Sequence, residues 1–218
     1  MSERVLVEIA KAAKWGDLIL IRCNAPKDAA IRLVCRSYWD HFGVVVDDGI
    51  GGRSLLEACG AGVCTFPLEA RLREYITYFA EEVGWQQLRA PRTSEACSGM
   101  HTFVAAVDGQ CGYSYDVGKV FFSWLPFAGG APSIQRDYIC TELIAALWQA
   151  CGYLEGGCNP ASFWPGDMLA GGSLGRHFVA GVSLGPLTST SSGSSRQRAS
   201  AILKAETVST TRLVHADS

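Results

Sequence analysis

The sequence predicts one α+β domain over residues 1–187, followed by a flexible Ser/Thr-rich tail over 188–218. Three observations lead there. Amphipathic segments of helical spacing are interspersed with short β-branched runs of strand length, without an internal repeat. Hydrophobic residues make up 48% of the chain and charged residues 18%, a balance that supports a packed core rather than disorder. From Thr188 to Ser200 the composition collapses to Ser, Thr, Gly and Arg, with only a weak helical pattern beyond, over 199–206.

The elements follow in order. Residues 3–14 have helical spacing, with Val5, Ile9, Ala12 and Ala13 on one side, and Trp15-Gly16 closes them. Asp17 to Arg22 (DLILIR) is an apolar run of strand length, and residues 24–40 form a connection with room for a short helix. His41 to Val46 (HFGVVV) is the next strand, stopped by Asp47-Asp48-Gly49. Ser54 to Ala58 and Gly62 to Phe66 pattern as the arms of a hairpin. Pro67 to Glu82 has helical spacing through Leu68, Leu72, Tyr75, Ile76 and Phe79. A strand over Val83 to Leu88 and a helix over Ser94 to Val107 come next, then a Gly- and Tyr-rich piece from Gly112 to Gly118 and an apolar loop around Trp124. Asp137 to Gly152 forms a helix whose stripe is Leu143, Ile144, Leu147, Trp148 and Cys151. Short turns at Asn159-Pro160 and Pro165-Gly166-Asp167 precede a last strand over His177 to Leu184.

Composition also narrows the function. A formal net charge of −2 leaves no electrostatic footprint for nucleic acid. No basic run is present to hold an anionic membrane, and no apolar run reaches the length of a membrane span. Residues 1–15 lack the unbroken apolar core of a signal peptide. Nine cysteines, an odd number, fit no small disulfide framework and suit a reducing cytoplasm. There is no C-x-x-C pair or His-x-x-x-His, so neither a metal nor another cofactor is expected.

One thiol stands apart. Cys140 falls in the first turn of the 137–152 helix, where unpaired N–H groups and the positive pole of the dipole favour a thiolate. A nucleophilic cysteine needs a base, and the base needs a group to orient its ring. Of the four histidines, His41 heads a strand that is otherwise apolar, which puts its ring at the rim of a sheet. Glu57 is a lone carboxylate in the apolar Leu55-Leu56-Glu57-Ala58 strand, a position that is costly unless the charge is paired, and a histidine ring would pair it. Asp40, Asp116 or a backbone carbonyl could orient the ring instead.

The order Gly16-Asp17, His41-Phe42-Gly43, Leu56-Glu57-Ala58, Tyr115-Asp116, then Tyr138-Ile139-Cys140-Thr141-Glu142-Leu143 resembles the permuted NlpC-type papain-like hydrolases, in particular the YaeF/YiiX-like group. The resemblance covers roughly residues 15–170. It implies a circularly permuted papain-like fold, a small antiparallel sheet or half-barrel packed against helices. Cys140 would be the nucleophile, His41 the general base and Glu57 the polar third member, with Tyr138, Asp116 and Trp124 lining the substrate. The chain would then be a cysteine peptidase, an amidase or a lipid deacylase, acting on a small-molecule, peptide or lipid-derived acyl group. An acyltransferase or an inactive binding module on the same scaffold are the alternatives. The stretch after Asp116 (VGKVFFSWLPFAGG) is longer and more apolar than the family pattern. Its aromatic residues suit a lid over the core or a substrate wall, and they are all that would support a peripheral contact with lipid. Glu142 is expected in solvent or supporting the first turn electrostatically, and the other seven thiols outside the helix (Cys23, Cys35, Cys59, Cys64, Cys97, Cys111, Cys158) are expected in the core.

Overall fold

The computed structural model describes residues 3–35, 37–112 and 137–190. Its organising element is one antiparallel six-stranded sheet: β1 (Leu18–Cys23), β2 (His41–Asp47), β3 (Arg53–Cys59), β4 (Gly62–Pro67), β5 (Ala80–Arg89) and β6 (Ser183–Ser189). The strand order is β4-β3-β2-β1-β5-β6. Helices α1 (Glu3–Ala12), α2 (Pro26–Val34), α3 (Leu68–Glu74), α4 (Ser94–Val107) and α5 (Cys140–Ala150) complete the described part, with 3₁₀ turns after α5. The mixed α+β class read from the sequence is what forms. No helix among the described residues is long and apolar enough to cross a membrane.

Side chains alternate across the sheet, so each strand feeds two cores. On one face Leu18, Leu20, Phe42, Val44, Val46 and Leu56 pack with Met100 of α4 and with Leu143, Ile144, Leu147 and Trp148 of α5. On the other, Ile19, Ile21, Val45 and Leu55 meet Leu6, Ile9 and Ala13 from α1 and its end and Leu68 and Leu72 from α3. Cover on both faces is why β1 reads Leu-Ile-Leu-Ile without a polar alternate. The buried stripe of α1 is Leu6, Ile9, Ala10 and Ala13, one position out of phase with the predicted set at Val5 and Ala12.

Gly16-Asp17 is a structural knot. Gly16 has φ +90°, and a Cβ there would stand 2.9 Å from Leu88 Cδ2. The buried Asp17 carboxylate accepts the N–H groups of Lys14 and Leu88, the Trp85 indole N–H and the Arg92 guanidinium, all at 3.0 Å. Four donors on one carboxylate tie α1, β1 and β5 together and compensate its burial.

Several predicted boundaries move, among them the start of the 137–152 helix, which lies at Cys140. The Pro67–Glu82 helix ends early, as α3 passes into a five-residue π-helix, Tyr75–Phe79, and β5 starts at Ala80. The last strand is not His177–Leu184. Residues Ser173–His177 form a 3₁₀ turn, Val182 N–H closes a turn onto Val179, and Gly181 sits at φ +84°. The strand begins only at Ser183, and Leu187, Thr188 and Ser189 pair with Gln86, Trp85 and Gly84 of β5. Polar Thr and Ser side chains are no obstacle at a sheet edge.

Gly43 pairs across from Glu57, and a Cβ on it would stand 2.7 Å from Cδ1 of the fully buried Leu55. Gly43→Ala is therefore expected to cost about 1–3 kcal/mol through overpacking. A drop in the urea unfolding midpoint measures it. An unchanged midpoint would mean that Leu55 has room to give.

Candidate active site

Cys140 is the first residue of α5, and Ile139 (φ −87°, ψ 157°) is its N-cap without a side-chain hydrogen bond. The first-turn N–H groups therefore have no partner within the helix. The helix is pinned in place from both ends. Near its start, buried Thr141 donates its hydroxyl to Phe163 O at 2.7 Å, and near its end the Trp148 indole N–H donates to Gly16 O at 3.0 Å. Glu142, expected in solvent, is 7% exposed, because the first turn is wedged between the sheet and the loops that follow α5.

His41 opens β2, so its ring stands at the end of the sheet, and by alternation it shares a face with Gly43 and Val45. Glu57, on the neighbouring strand, lies on that same face beside Leu55. His41 Nε2 is 2.8 Å from Glu57 Oε2. The Cys140 thiol lies close enough to the same ring to favour its protonated form. With Nε2 engaged by Glu57, Nδ1 is the ring nitrogen left for a second partner. The sheet thus brings together Cys140, His41 and Glu57, the three residues the sequence singled out.

Of the alternatives for orienting the ring, Asp40 is committed elsewhere. Its carboxylate accepts the Cys23 N–H at 3.0 and 3.1 Å and pairs with Arg32. Asp116 and Trp124 lie outside the described residues. Tyr138, two residues before Cys140, is buried with its ring edge-on to Phe103.

Two residues at this site went unread in the sequence. Arg71 Nε donates to Glu57 Oε1 at 2.6 Å, and the Tyr75 hydroxyl donates to Glu57 Oε2. Tyr75 reads as one more apolar position in a helical stripe. The available signal was an arginine one turn before a stripe tyrosine, in the helix packed over the strand that holds a buried carboxylate.

The electrostatics follow from these contacts. Burial works to lower the His41 pKa, but hydrogen bonds to Cys140 and Glu57 and the Glu57 charge outweigh it, and the ring is raised to about 10. Burial works to raise Glu57, yet His41, Tyr75 and Arg71 together bring it below the ordinary carboxylate range. Burial and the adjacent Glu57 charge push Tyr75 far up, so its hydroxyl stays a donor.

Only Cys151 is fully buried; the seven expected in the core are all partly exposed, several of them at strand ends and helix caps where a small side chain is half covered. Burial nonetheless raises Cys35 to about 11 and Cys151 to about 12, raises Cys64 and Cys158, and carries Cys23 well above the thiol range. Among the described residues one group, Cys23, Asp28 and Asp40, places its donor atoms within 4.8 Å of one another. In that group the Asp40 carboxylate pairs with Arg32 and accepts the Cys23 N–H.

Fold and site define a class: an α+β protein with a helix-terminal cysteine, a strand-borne histidine and a buried glutamate in contact. No protein-family model matches the chain, and no curated protein does. Among solved structures the chain is similar to the metalloprotein yiiX from Escherichia coli O157:H7, with 20% identity, 82% of this chain and 97% of that one covered, and a TM-score of 0.47. At that level of similarity residue roles do not transfer.

Proposed function

We propose that the protein is a thiol hydrolase of amide or ester bonds, a peptidase, amidase or lipid deacylase on a circularly permuted papain-like scaffold. The observation that carries this reading is the shared ring: His41 engages Cys140 on one side and Glu57 on the other. The resemblance read from the sequence, with the histidine strand ahead of the cysteine helix, supports the permuted scaffold.

The chemistry runs in two steps. Cys140 sulfur, as thiolate, attacks the carbonyl carbon, and the oxygen that becomes negative is held by first-turn N–H groups of α5, the Cys140 N–H among them. With its raised pKa the His41 ring is protonated near neutrality, so the proton needed by the departing amine or alkoxide is already in place. The C–N or C–O bond breaks, leaving a thioester and a neutral ring. Water then attacks the thioester, gives its proton to His41 and expels the thiolate with the acid product.

Alkylation tests the reading without a known substrate. At pH 6, iodoacetamide is expected to modify Cys140 at least about tenfold faster than any of the other eight cysteines. His41→Ala should erase the difference. Mass spectrometry of tryptic peptides reads the rates, and uniform slow labelling of the wild type would sink the proposal in favour of an inactive binding module.

A further inference from the structure

Glu57 is held by more than its histidine. It is fully buried, and three donors converge on it: Arg71 Nε on Oε1, and both His41 Nε2 and the Tyr75 hydroxyl on Oε2. Arg71 is in turn immobilised. Its Nη1 donates to Glu74 at 2.6 Å, its Nη2 lies 3.4 Å from the Tyr75 oxygen, and its guanidinium carbon sits 4.2 Å from the Phe66 ring centroid and 4.7 Å from that of Tyr75. Tyr75 opens the π-helical turn that ends α3. Such turns recur at functional sites, where the altered winding re-aims a side chain.

We propose that Arg71 and Tyr75 are positioning residues for the His41 and Cys140 pair, acting through Glu57. They hold its carboxylate ionised, with Oε2 aimed at Nε2, so that the ring is fixed beside Cys140. This deepens the thiol-hydrolase reading and rests on it. A carboxylate this buried stays charged only with close compensation. Arg71 gives a full charge through a rigid planar fork, and stacking between two rings fixes where the fork points. Tyr75 shares Oε2 with His41, and that sharing fixes which oxygen the ring meets. The groups facing this pair are Cys23 from β1, Cys64 from β4, Arg71, Glu74 and Tyr75 from α3 and its π-turn, and Cys140 from α5. Glu74 is spent on Arg71, and burial keeps Cys64 a neutral thiol. Arg71 and Tyr75 are therefore the groups that hold Glu57 ionised when His41 loses its proton.

The test is the acid limb of the Cys140 alkylation rate against pH, measured beside the titration of Glu57 by its ¹³C carboxyl resonance. Tyr75→Phe removes one hydroxyl and Arg71→Met the charge. Both changes weaken support for the anion, so Glu57 titrates at higher pH and the alkylation limb moves up with it by about one unit, a tenfold change in acidity. Arg71→Lys keeps the charge without the fork and brings the limb part of the way back. A folded Tyr75→Phe whose alkylation profile superimposes on the wild type overturns the proposal, and this variant decides the question should Arg71→Met fail to fold. The two readings fail separately. A wild-type Cys140 that labels no faster than other thiols sinks the hydrolase before any variant is made, whereas a fast wild type with an unmoved limb in Tyr75→Phe sinks the clamp alone.

Discussion

Cys140→Ala and His41→Ala are each expected to lower hydrolysis of p-nitrophenyl acetate by about three to six orders of magnitude, with the fold intact. The size follows from the role proposed for each residue. Without the sulfur there is no thioester, and the two-step route is closed. Without the ring the sulfur has no neighbour to take its proton and the leaving group no donor. Because the residues act as a unit, the double variant should be scarcely worse than either single one. Both side chains lie at the end of the sheet and Cys140 is only a partly buried neighbour of one core, so truncation keeps the fold while His41→Ala gives up the stability of the His41–Glu57 pair. Circular dichroism and the urea midpoint check that. Turnover by Cys140→Ala at the wild-type rate would remove the proposed nucleophile.

The second large effect is on stability. Glu57→Ala is expected to cost about 3–5 kcal/mol, because it leaves Arg71 and His41 facing each other in a buried site with no anion between them. The loss should depend on pH with a definite sign. Glu57 has its pKa lowered in the folded protein, so its contribution is full above the ordinary carboxylate value of 4.5 and fades as pH falls through the lower folded value. His41 has its pKa raised from 6.5 to about 10, so its contribution is full below 6.5 and fades as pH rises toward 10. The gap between wild type and variant is therefore widest between about pH 4.5 and 6.5. Urea unfolding across pH 3–10 measures it, and a gap that grew from pH 7 to 9 would contradict the assigned direction for His41.

Much of this was legible because the telling residues break a pattern. Glu57 in an apolar strand and His41 at the head of another are conspicuous, as is a cysteine where a helix begins. What stayed hidden depended on contacts between elements. Arg71 has no visible reason in the sequence, since a surface arginine and a carboxylate clamp have the same local pattern, and only the return of α3 over β3 tells them apart. Tyr75 was disguised by its own apolarity, which serves a core and a hydroxyl donor equally well. The last strand was missed because Ser and Thr content signals disorder until a partner edge, here β5, supplies the pairing. Gly181 placed the turn where a strand had been expected.

The chain order of the site has a kinetic consequence. His41, Glu57, Arg71 and Tyr75 come from β2, β3 and α3, neighbours in sequence joined through the β3–β4 hairpin. Cys140 arrives from far downstream on α5, which packs on the opposite face of the sheet from α3. Closing a short loop costs less entropy than closing a long one, so the acid–base half is the cheaper part to assemble. A nascent chain in which only that half has formed holds His41 and Glu57 paired with no sulfur beside them until α5 docks. Protein synthesis thus supplies Cys140 only after His41, Glu57, Arg71 and Tyr75, and the core residues Tyr153 to Val182 follow it.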